Sequence, residues 1–252
     1  EDKKNLDKQL LSGLSPIGVP KELASTAIPF NDGDLDRLEQ ILSKGDVAAI
    51  KMEVMRSKAP SKEYLSDIRK LADKYACLLI FDECTSGFRE TFGGLHLKYG
   101  VKPDLAVFGK TLGNGYAITA VLGTKSVMKA SQSTFISSTF FTERLGYVAA
   151  IAALDVMEVT KSWELISNKG VIFKEKIAML AANHKLQLNM SGMDALVSYN
   201  FEQSDRLAVK TYITQEMLAE GFLTGNLFYP SIAHSEKDMN DFFTSLNRVA
   251  KK

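Results

Sequence analysis

Two short apolar runs, each followed by a charged side chain, constrain the fold of this chain more than any other feature. The run Leu78–Phe81 leads directly into Asp82, and the run Leu105–Phe108 leads through a glycine into Lys110. Continuous apolar runs of this length are typical of strands that are buried in a parallel sheet. In open parallel α/β sheets, ligands bind just beyond the carboxyl ends of the strands. The sequence therefore predicts an acid and a lysine at neighbouring strand ends, where a ligand would bind.

This acid and this lysine allow two interpretations. Structural ion pairs are common, so an isolated acid and lysine more often stabilise a fold than carry chemistry. The chemical interpretation is that Lys110 forms a Schiff base with an aldehyde cofactor. Pyridoxal phosphate requires such a lysine, and it requires a carboxylate that keeps the pyridine nitrogen protonated so that the ring accepts electrons. Lys110 and Asp82 are candidates for these two roles.

Three motifs around this pair decide between the interpretations. They are IFDECTSGFR at Ile80–Arg89, YGVKPDLAVFGKTLGNGYAITAVLG at Tyr99–Gly123, and STFFTERLGYVAAIAALDVME at Ser138–Glu158. In order and spacing the first two are highly specific, and together the motifs resemble the class III pyridoxal-phosphate aminotransferases. Within that family the chain is similar to the glutamate-1-semialdehyde 2,1-aminomutase branch. The resemblance extends from about Leu6 to the C-terminus.

For the fold, the resemblance implies an α/β protein, a fold-type-I transferase that depends on pyridoxal phosphate. Residues 1–160 would form the C-terminal part of the large cofactor-binding domain, with a mainly parallel sheet. Residues 161–252 would form a small C-terminal α+β domain. The pattern itself changes near Thr160, where an alanine-rich apolar segment gives way to an amphipathic helix and alternating strands.

For the site, the resemblance assigns a role to four residues. Lys110 would be the Schiff-base lysine and the catalytic base, and Asp82 would bond the pyridinium nitrogen. Cys84 would lie under the cofactor ring, where relatives usually have valine. Thr139 would bind the cofactor phosphate of the neighbouring subunit, which implies a homodimer with active sites at the subunit interface.

Two departures from the family leave three functional hypotheses open. The family's N-terminal part, with its glycine-rich phosphate-binding turn and ring-stacking aromatic, precedes the segment that Glu1 begins. A small-residue stretch of the aminomutases is replaced here by residues 140–144, Phe-Phe-Thr-Glu-Arg. The chain is therefore expected to belong to an aminotransferase that acts between an amino donor and a carbonyl acceptor. The alternatives are an aminomutase that moves the amino group within one molecule, and a truncated fragment without activity.

Composition excludes several other classes of function. A net charge of +1 gives no reason to expect a nucleic-acid or membrane partner, so the expected partners are small amino and carbonyl substrates. No apolar run reaches the length of a membrane-spanning helix, and the first residues have no signal-peptide core. The two cysteines, Cys77 and Cys84, are expected to be free thiols of a cytoplasmic protein. No cluster of residues has the spacing of a metal site.

The loop after Asp82 and the flanking segments complete the expectations. Arg89 either binds a substrate carboxylate or forms a structural ion pair with Glu83 or Glu90, and the ion pair is favoured. The alanine-rich helix 143–159 is expected to be buried between layers. Periodicity and capping residues predict further helices over 32–43, 61–75, 162–183, 205–220 and 235–252. Alternating or apolar runs predict further strands over 47–54, 117–123, 186–190, 195–201 and 222–228.

Overall fold

A four-stranded sheet forms the centre of the first part of the chain. The computed structural model describes residues 18, 20–23, 26–202 and 205–251. The sheet contains β1 (Ala49–Glu53), β2 (Leu78–Asp82), β3 (Leu105–Phe108) and β4 (Ala120–Gly123), in that spatial order. The first three strands are parallel, and β4 runs antiparallel to β3. The mainly parallel sheet predicted from the sequence is therefore confirmed, with β1 and β4 shorter than expected.

The helices begin where the sequence supplies capping side chains. Asp34, Ser61 and Asp205 each accept a hydrogen bond from a backbone N–H in the first helical turn, and Ser235 forms a reciprocal capping box with Asp238. None of the described helices is long and apolar enough to cross a membrane. The helices are α1 (Leu35–Leu42), α2 (Lys62–Lys74), α3 (His96–Tyr99), α4 (Lys125–Ser131), α5 (Arg144–Thr160), α6 (Ser162–Asn183), α7 (Arg206–Ala219) and α8 (Glu236–Val249).

A second, antiparallel sheet occupies the last third of the chain. Its strands are β5 (Leu188–Ser191), β6 (Val197–Phe201) and β7 (Leu227–Phe228). The predicted hairpin between β5 and β6 is confirmed, whereas the strand predicted over 222–228 is reduced to two residues. Side chains of α6, α7 and α8 pack on this sheet and form a separate apolar cluster that includes Phe173, Ile177, Tyr199, Met217 and Leu246.

The core of the first sheet is built by the strand–helix–strand unit β1–α2–β2. Leu65 and Ile68 on α2 and Leu79 and Phe81 on β2 are fully buried. Complete burial of such a side chain contributes about 1.5–3 kcal/mol, so these four residues are a large part of the stability of the unit. The helix thereby covers one face of the sheet and leaves the carboxyl ends of β2 and β3 uncovered.

Helix α5 contradicts the expectation that it is buried between layers. Gly146, Ala150 and Met157 are buried, but the opposite side of the helix is exposed. The apolar residues surround the whole helix, and only one side of it packs against the turns after β3. The exposed apolar residues are Leu145, Val148, Ile151, Val156 and Val159, the last with 86% of its surface exposed.

The loop between β2 and α3 joins the first sheet to the last third of the chain. A side-chain oxygen of Glu90 accepts a hydrogen bond from the backbone N–H of Asp194 at 2.8 Å. The rings of Phe92 and Trp163 are 5.2 Å apart. These contacts bring the last third of the chain against the segment that follows Asp82.

Asp104 fastens the start of β3 to both α2 and β2. One of its carboxylate oxygens accepts a bond from Arg69 Nη1 at 2.7 Å and one from the backbone N–H of Leu79 at 2.8 Å. Burial by itself raises the pKa of Asp104, but the bonds from Leu79 and Arg69 outweigh it, so the pKa lies below its ordinary value. The ionised carboxylate therefore stabilises the fold above its ordinary pKa, and this contribution is lost as the pH falls through the lowered pKa.

We expect Asp104→Asn to lower the free energy of unfolding at neutral pH by about 1–3 kcal/mol, because it weakens a charge-assisted bond between elements. Asp73 pairs with the same arginine on α2 but has a side chain 66% exposed, so Asp73→Asn is the matched control, with a loss below about 1 kcal/mol. Urea unfolding measures both. The Asp104→Asn deficit should shrink below about pH 4, and equal deficits in the two variants would contradict the assignment.

Candidate active site

Asp82, Cys84 and Lys110 lie together at the carboxyl end of β2 and β3. Asp82 is the last residue of β2 and is paired in register with Val107 of β3. Lys110 follows β3 and begins a single 3-10 turn over Lys110–Leu112. The charges of Asp82 and Lys110 both act on the thiol of Cys84, which lies between them in the electrostatic sense. The structure therefore brings together three of the four residues that the sequence proposed for the site.

The carboxylate of Asp82 is held in its ionised form. One oxygen lies 2.9 Å from the amine of Lys51, and the other accepts a hydrogen bond from the backbone N–H of Cys84 at 3.2 Å. Burial by itself raises the pKa of Asp82, but these partners outweigh it and the pKa is lowered. The side chain of Lys51 is 63% exposed, so a ligand with a positive nitrogen can displace this amine at little cost.

Cys84 supplies a neutral surface beside this carboxylate. Burial raises the pKa of its thiol, and the neighbouring Asp82 raises it further. The thiol is therefore protonated at neutral pH and is not a thiolate nucleophile. A Cβ placed on Gly109 would lie 3.3 Å from Cys84 Sγ, so the absence of a side chain at Gly109 allows the two strand ends to lie close together.

Lys110 is held in a strained backbone conformation, and its amine is exposed. Its φ angle is +44°, in the left-handed region that side chains other than glycine rarely adopt. Such residues cost on the order of 1–3 kcal/mol and cluster at functional sites. The amine of Lys110 donates to Thr85 Oγ1 at 2.7 Å. Thr85 was not among the predicted site residues, because only the folded loop brings its hydroxyl to a lysine 25 residues away.

Two clefts open from Lys110. The first, of about 630 Å³, is lined on its far side by Tyr116, Ser138, Phe140 and Glu143. The second, of about 770 Å³, reaches Arg89 and the segment 230–232 in the last third of the chain. Both volumes lie within the range of small-molecule sites, and Lys110 is the charged residue that the two clefts share.

The fourth predicted residue, Thr139, is not brought to the other three within this chain. It lies on an exposed 3-10 turn, Thr139–Phe141, and it does not line either cleft as the structure describes them. Its neighbours Ser138 and Phe140 do line the first cleft. The position of Thr139 is therefore near the rim of the site and faces outward.

The expected ion pair of Arg89 is not formed. The carboxylate of Glu83 is bonded by Ser86 and His96, and that of Glu90 pairs with Lys98 at 2.8 Å. The favoured structural interpretation of Arg89 is therefore wrong, because both neighbouring acids have other partners.

Arg89 instead contacts a backbone carbonyl and an aromatic ring. Its Nε donates to the carbonyl oxygen of Thr85 at 2.7 Å. Its guanidinium carbon lies 5.7 Å from the ring centre of Tyr229. The arginine consequently lies at the edge of the second cleft with its charge uncompensated by an acid in the described residues.

The residues present fit an aldehyde cofactor with a basic ring nitrogen. A primary amine with a single hydroxyl partner is accessible from solvent, and an ionised carboxylate lies at the neighbouring strand end. A neutral thiol and a glycine leave the space between them free of charge and of a β-carbon. A metal centre is not supported, because no group of three or more histidine, cysteine, aspartate or glutamate residues in the described ranges could hold an ion.

Comparison with known proteins gives a consistent result. The family model for aminotransferase class III matches residues 20–248. The 3-aminobutyryl-CoA aminotransferase of Cloacimonas acidaminovorans is 34% identical over 197 residues, which cover 75% of this chain and 48% of that protein. The glutamate-1-semialdehyde 2,1-aminomutase of Sulfurihydrogenibium azorense is 28% identical over 247 residues, which cover 89% of this chain and 58% of that protein. The chain thus spans about half to three fifths of the length of these relatives.

The fold is shared with solved transaminases. The FumI protein of Sphingopyxis sp. MTA144, described in its PLP internal aldimine form, superposes with a TM-score of 0.80 at 23% identity. The match covers 86% of this chain and 54% of that one. The expected α/β architecture of fold-type-I transferases is therefore confirmed. With a family model that matches nearly the whole chain and a relative at 34% identity, the chain belongs to the class III aminotransferase family.

Proposed function

We propose that this chain forms part of an aminotransferase that depends on pyridoxal phosphate and moves an amino group between an amino donor and a carbonyl acceptor. The observation that carries the proposal is the position of the Lys110 amine and the Asp82 carboxylate at adjacent ends of β2 and β3. Family membership supports the same chemistry. When bound, pyridoxal phosphate supplies an aldehyde for the amine and a protonated ring that accepts electrons.

The residues of the chain have distinct tasks in this proposal. The Asp82 carboxylate, ionised by its partners, exchanges Lys51 for the ring nitrogen and keeps a proton on it. Lys110 supplies the amine that carries the cofactor, and once released it takes the proton from the substrate α-carbon and returns it. Thr85 orients the Lys110 amine through the 2.7 Å bond of its hydroxyl. The neutral thiol of Cys84 packs against the cofactor ring without altering the charge around Asp82.

An aminomutase that moves the amino group within one molecule is the alternative, because several relatives carry that name. The lining of the first cleft favours transfer between two molecules. Phe140 and Phe141 form its rim, and the carboxylate of Glu143 is bonded to the Tyr116 hydroxyl. These bulky and acidic side chains occupy the stretch that is small in the aminomutases. A single amino-aldehyde that yields an isomer with no second substrate would support the alternative.

We also propose a division into a large-domain part, residues 1–160, and a small domain, residues 161–252. Lys161 lies between α5 and α6 with φ at +48°, which breaks two otherwise continuous helices. Separate apolar clusters on the two sides of this residue support the boundary. The free thiols of Cys77 and Cys84 agree with a reducing, cytoplasmic location.

We expect the chain to form an internal bond with the cofactor through Lys110. Adding pyridoxal phosphate should produce a visible-edge absorbance band in the wild type but not in Lys110→Ala. After borohydride reduction, mass spectrometry should find the cofactor on the peptide that contains Lys110. Lys102→Ala, which changes an exposed lysine outside both clefts, is the control. A band of equal strength in Lys110→Ala would refute the assignment, and no band in any protein would favour a fragment without activity.

We further propose that the active protein is a homodimer in which Thr139 binds the cofactor phosphate of the partner. The outward position of Thr139 and the exposed apolar side of α5 support this arrangement. Thr139→Val should weaken binding of pyridoxal phosphate about tenfold, because it removes a charge-assisted hydrogen bond. Cofactor titration followed by absorbance measures the loss.

Mixed dimers test whether Thr139 acts across the interface. A dimer of one Lys110→Ala subunit and one Thr139→Val subunit would contain one site with both native residues if Thr139 acts in trans. Co-expression with two affinity tags isolates this dimer. Wild-type affinity at half the sites is the expected result. Affinity no better than that of the Thr139→Val homodimer would place Thr139 in its own subunit's site and refute the proposal.

A further inference from the structure

The second cleft is positively charged and otherwise uncharged. Its lining contains Arg89 and Lys110 and no acidic side chain among the described residues. The remaining wall is formed by small and apolar residues of α5 and by residues 230–232. A cleft with low-dielectric walls and charge of one sign concentrates ligands of the opposite sign. Its chemistry therefore points to an anion.

Thr85 holds the two cations of this cleft in a fixed relation. Its hydroxyl accepts a hydrogen bond from the amine of Lys110 at 2.7 Å, and its carbonyl oxygen accepts one from Nε of Arg89 at 2.7 Å. Arg89 thus uses one of its five N–H donors on the backbone, and its terminal nitrogens have no bond to any residue that the structure describes. In addition, burial lowers the pKa of Arg89, which shows that solvent stabilises its charge poorly.

The opposite wall of the cleft is rigid. The amine of Lys169 donates to three backbone carbonyl oxygens, those of Ser231, Ile232 and His234, at 3.0, 3.0 and 2.6 Å. The Tyr229 ring, which precedes this segment, packs on the guanidinium of Arg89. The arginine is therefore held in place before a ligand arrives, and little conformational entropy is lost when it binds one.

We propose that Arg89 binds a carboxylate group of the substrate, so that the amino donor or the carbonyl acceptor is an amino or oxo acid. The planar fork of its free terminal nitrogens matches the two oxygens of a carboxylate. The proposal rests on the proposed function, because the shared cleft would hold the carboxylate at Arg89 and the reacting carbon toward Lys110. The cofactor phosphate is the other source of an anion, and the experiment separates the two.

Calorimetric titration of the cofactor-free protein with succinate tests the anion site without any catalytic step. Wild type should bind succinate and not the uncharged succinamide, and Arg89→Gln should weaken succinate binding at least tenfold. Arg56→Gln is the matched control, since Arg56 is an exposed arginine that pairs with Glu53 outside the cleft; it should bind as wild type does. Unchanged succinate affinity in Arg89→Gln would overturn the proposal.

A second titration distinguishes the carboxylate from the phosphate. Pyridoxal phosphate and pyridoxal, which lacks the phosphate, should each bind Arg89→Gln as well as they bind wild type. A selective loss of pyridoxal phosphate affinity would assign Arg89 to the cofactor and overturn the proposal. If wild type formed no Lys110-dependent band, the proposed function would fail, while the succinate titration would still decide whether Arg89 binds a carboxylate.

Arg89→Lys covers the case in which Arg89→Gln does not fold, as judged by circular dichroism. It keeps the stem and the charge but loses the fork, so it should bind succinate three- to tenfold more weakly than wild type. Affinity equal to that of wild type would show that no fork is used, and it would overturn the proposal.

Discussion

A single buried carboxylate, that of Glu83, determines the shape of the loop on which the candidate site depends. Its side chain has no exposed surface. It accepts bonds from the backbone N–H and Nδ1 of His96 at 3.0 and 2.8 Å and from the hydroxyl of Ser86. Burial by itself raises the pKa of Glu83, but these bonds outweigh it and the pKa is lowered. A buried charge without such partners would cost several kcal/mol, so the loop folds around the carboxylate that it satisfies.

The same loop sets the position of the reactive side chains. The backbone N–H of Glu83 bonds to Val107 of β3, and the carbonyl oxygen of Gly87 accepts a bond from the hydroxyl of Thr111. The end of β2 and the turn after β3 are therefore fixed to each other on both sides of Thr85. Strain at Lys110, with φ at +44°, persists because these bonds determine the turn independently of Lys110 itself.

The parts of the fold that local signals encode could be predicted from the sequence, and the parts that depend on packing could not. The cap at Ser61 and the strand Leu105–Phe108 follow from hydrogen-bonding chemistry and from hydrophobic pattern, and both are present. The burial of α5 was wrongly predicted, since composition shows that a helix is apolar but not whether another surface covers it. Likewise, the partner of Arg89 depended on where His96 and Lys98 direct the two nearby acids.

The candidate site shows the same division. Strand ends are visible in the sequence, so the hydrophobic pattern alone is enough to place Asp82 and Lys110 at one edge of the sheet. The role of Thr85 could not be predicted, because a threonine in a loop has no pattern that indicates two cationic partners. Yet this residue connects the two halves of the proposed chemistry. Two cations that share one residue repel each other, and in a cleft whose described lining contains no acids only a bound anion relieves that repulsion. Binding of a carboxylate at Arg89 and chemistry at Lys110 are thus linked by charge as well as by position.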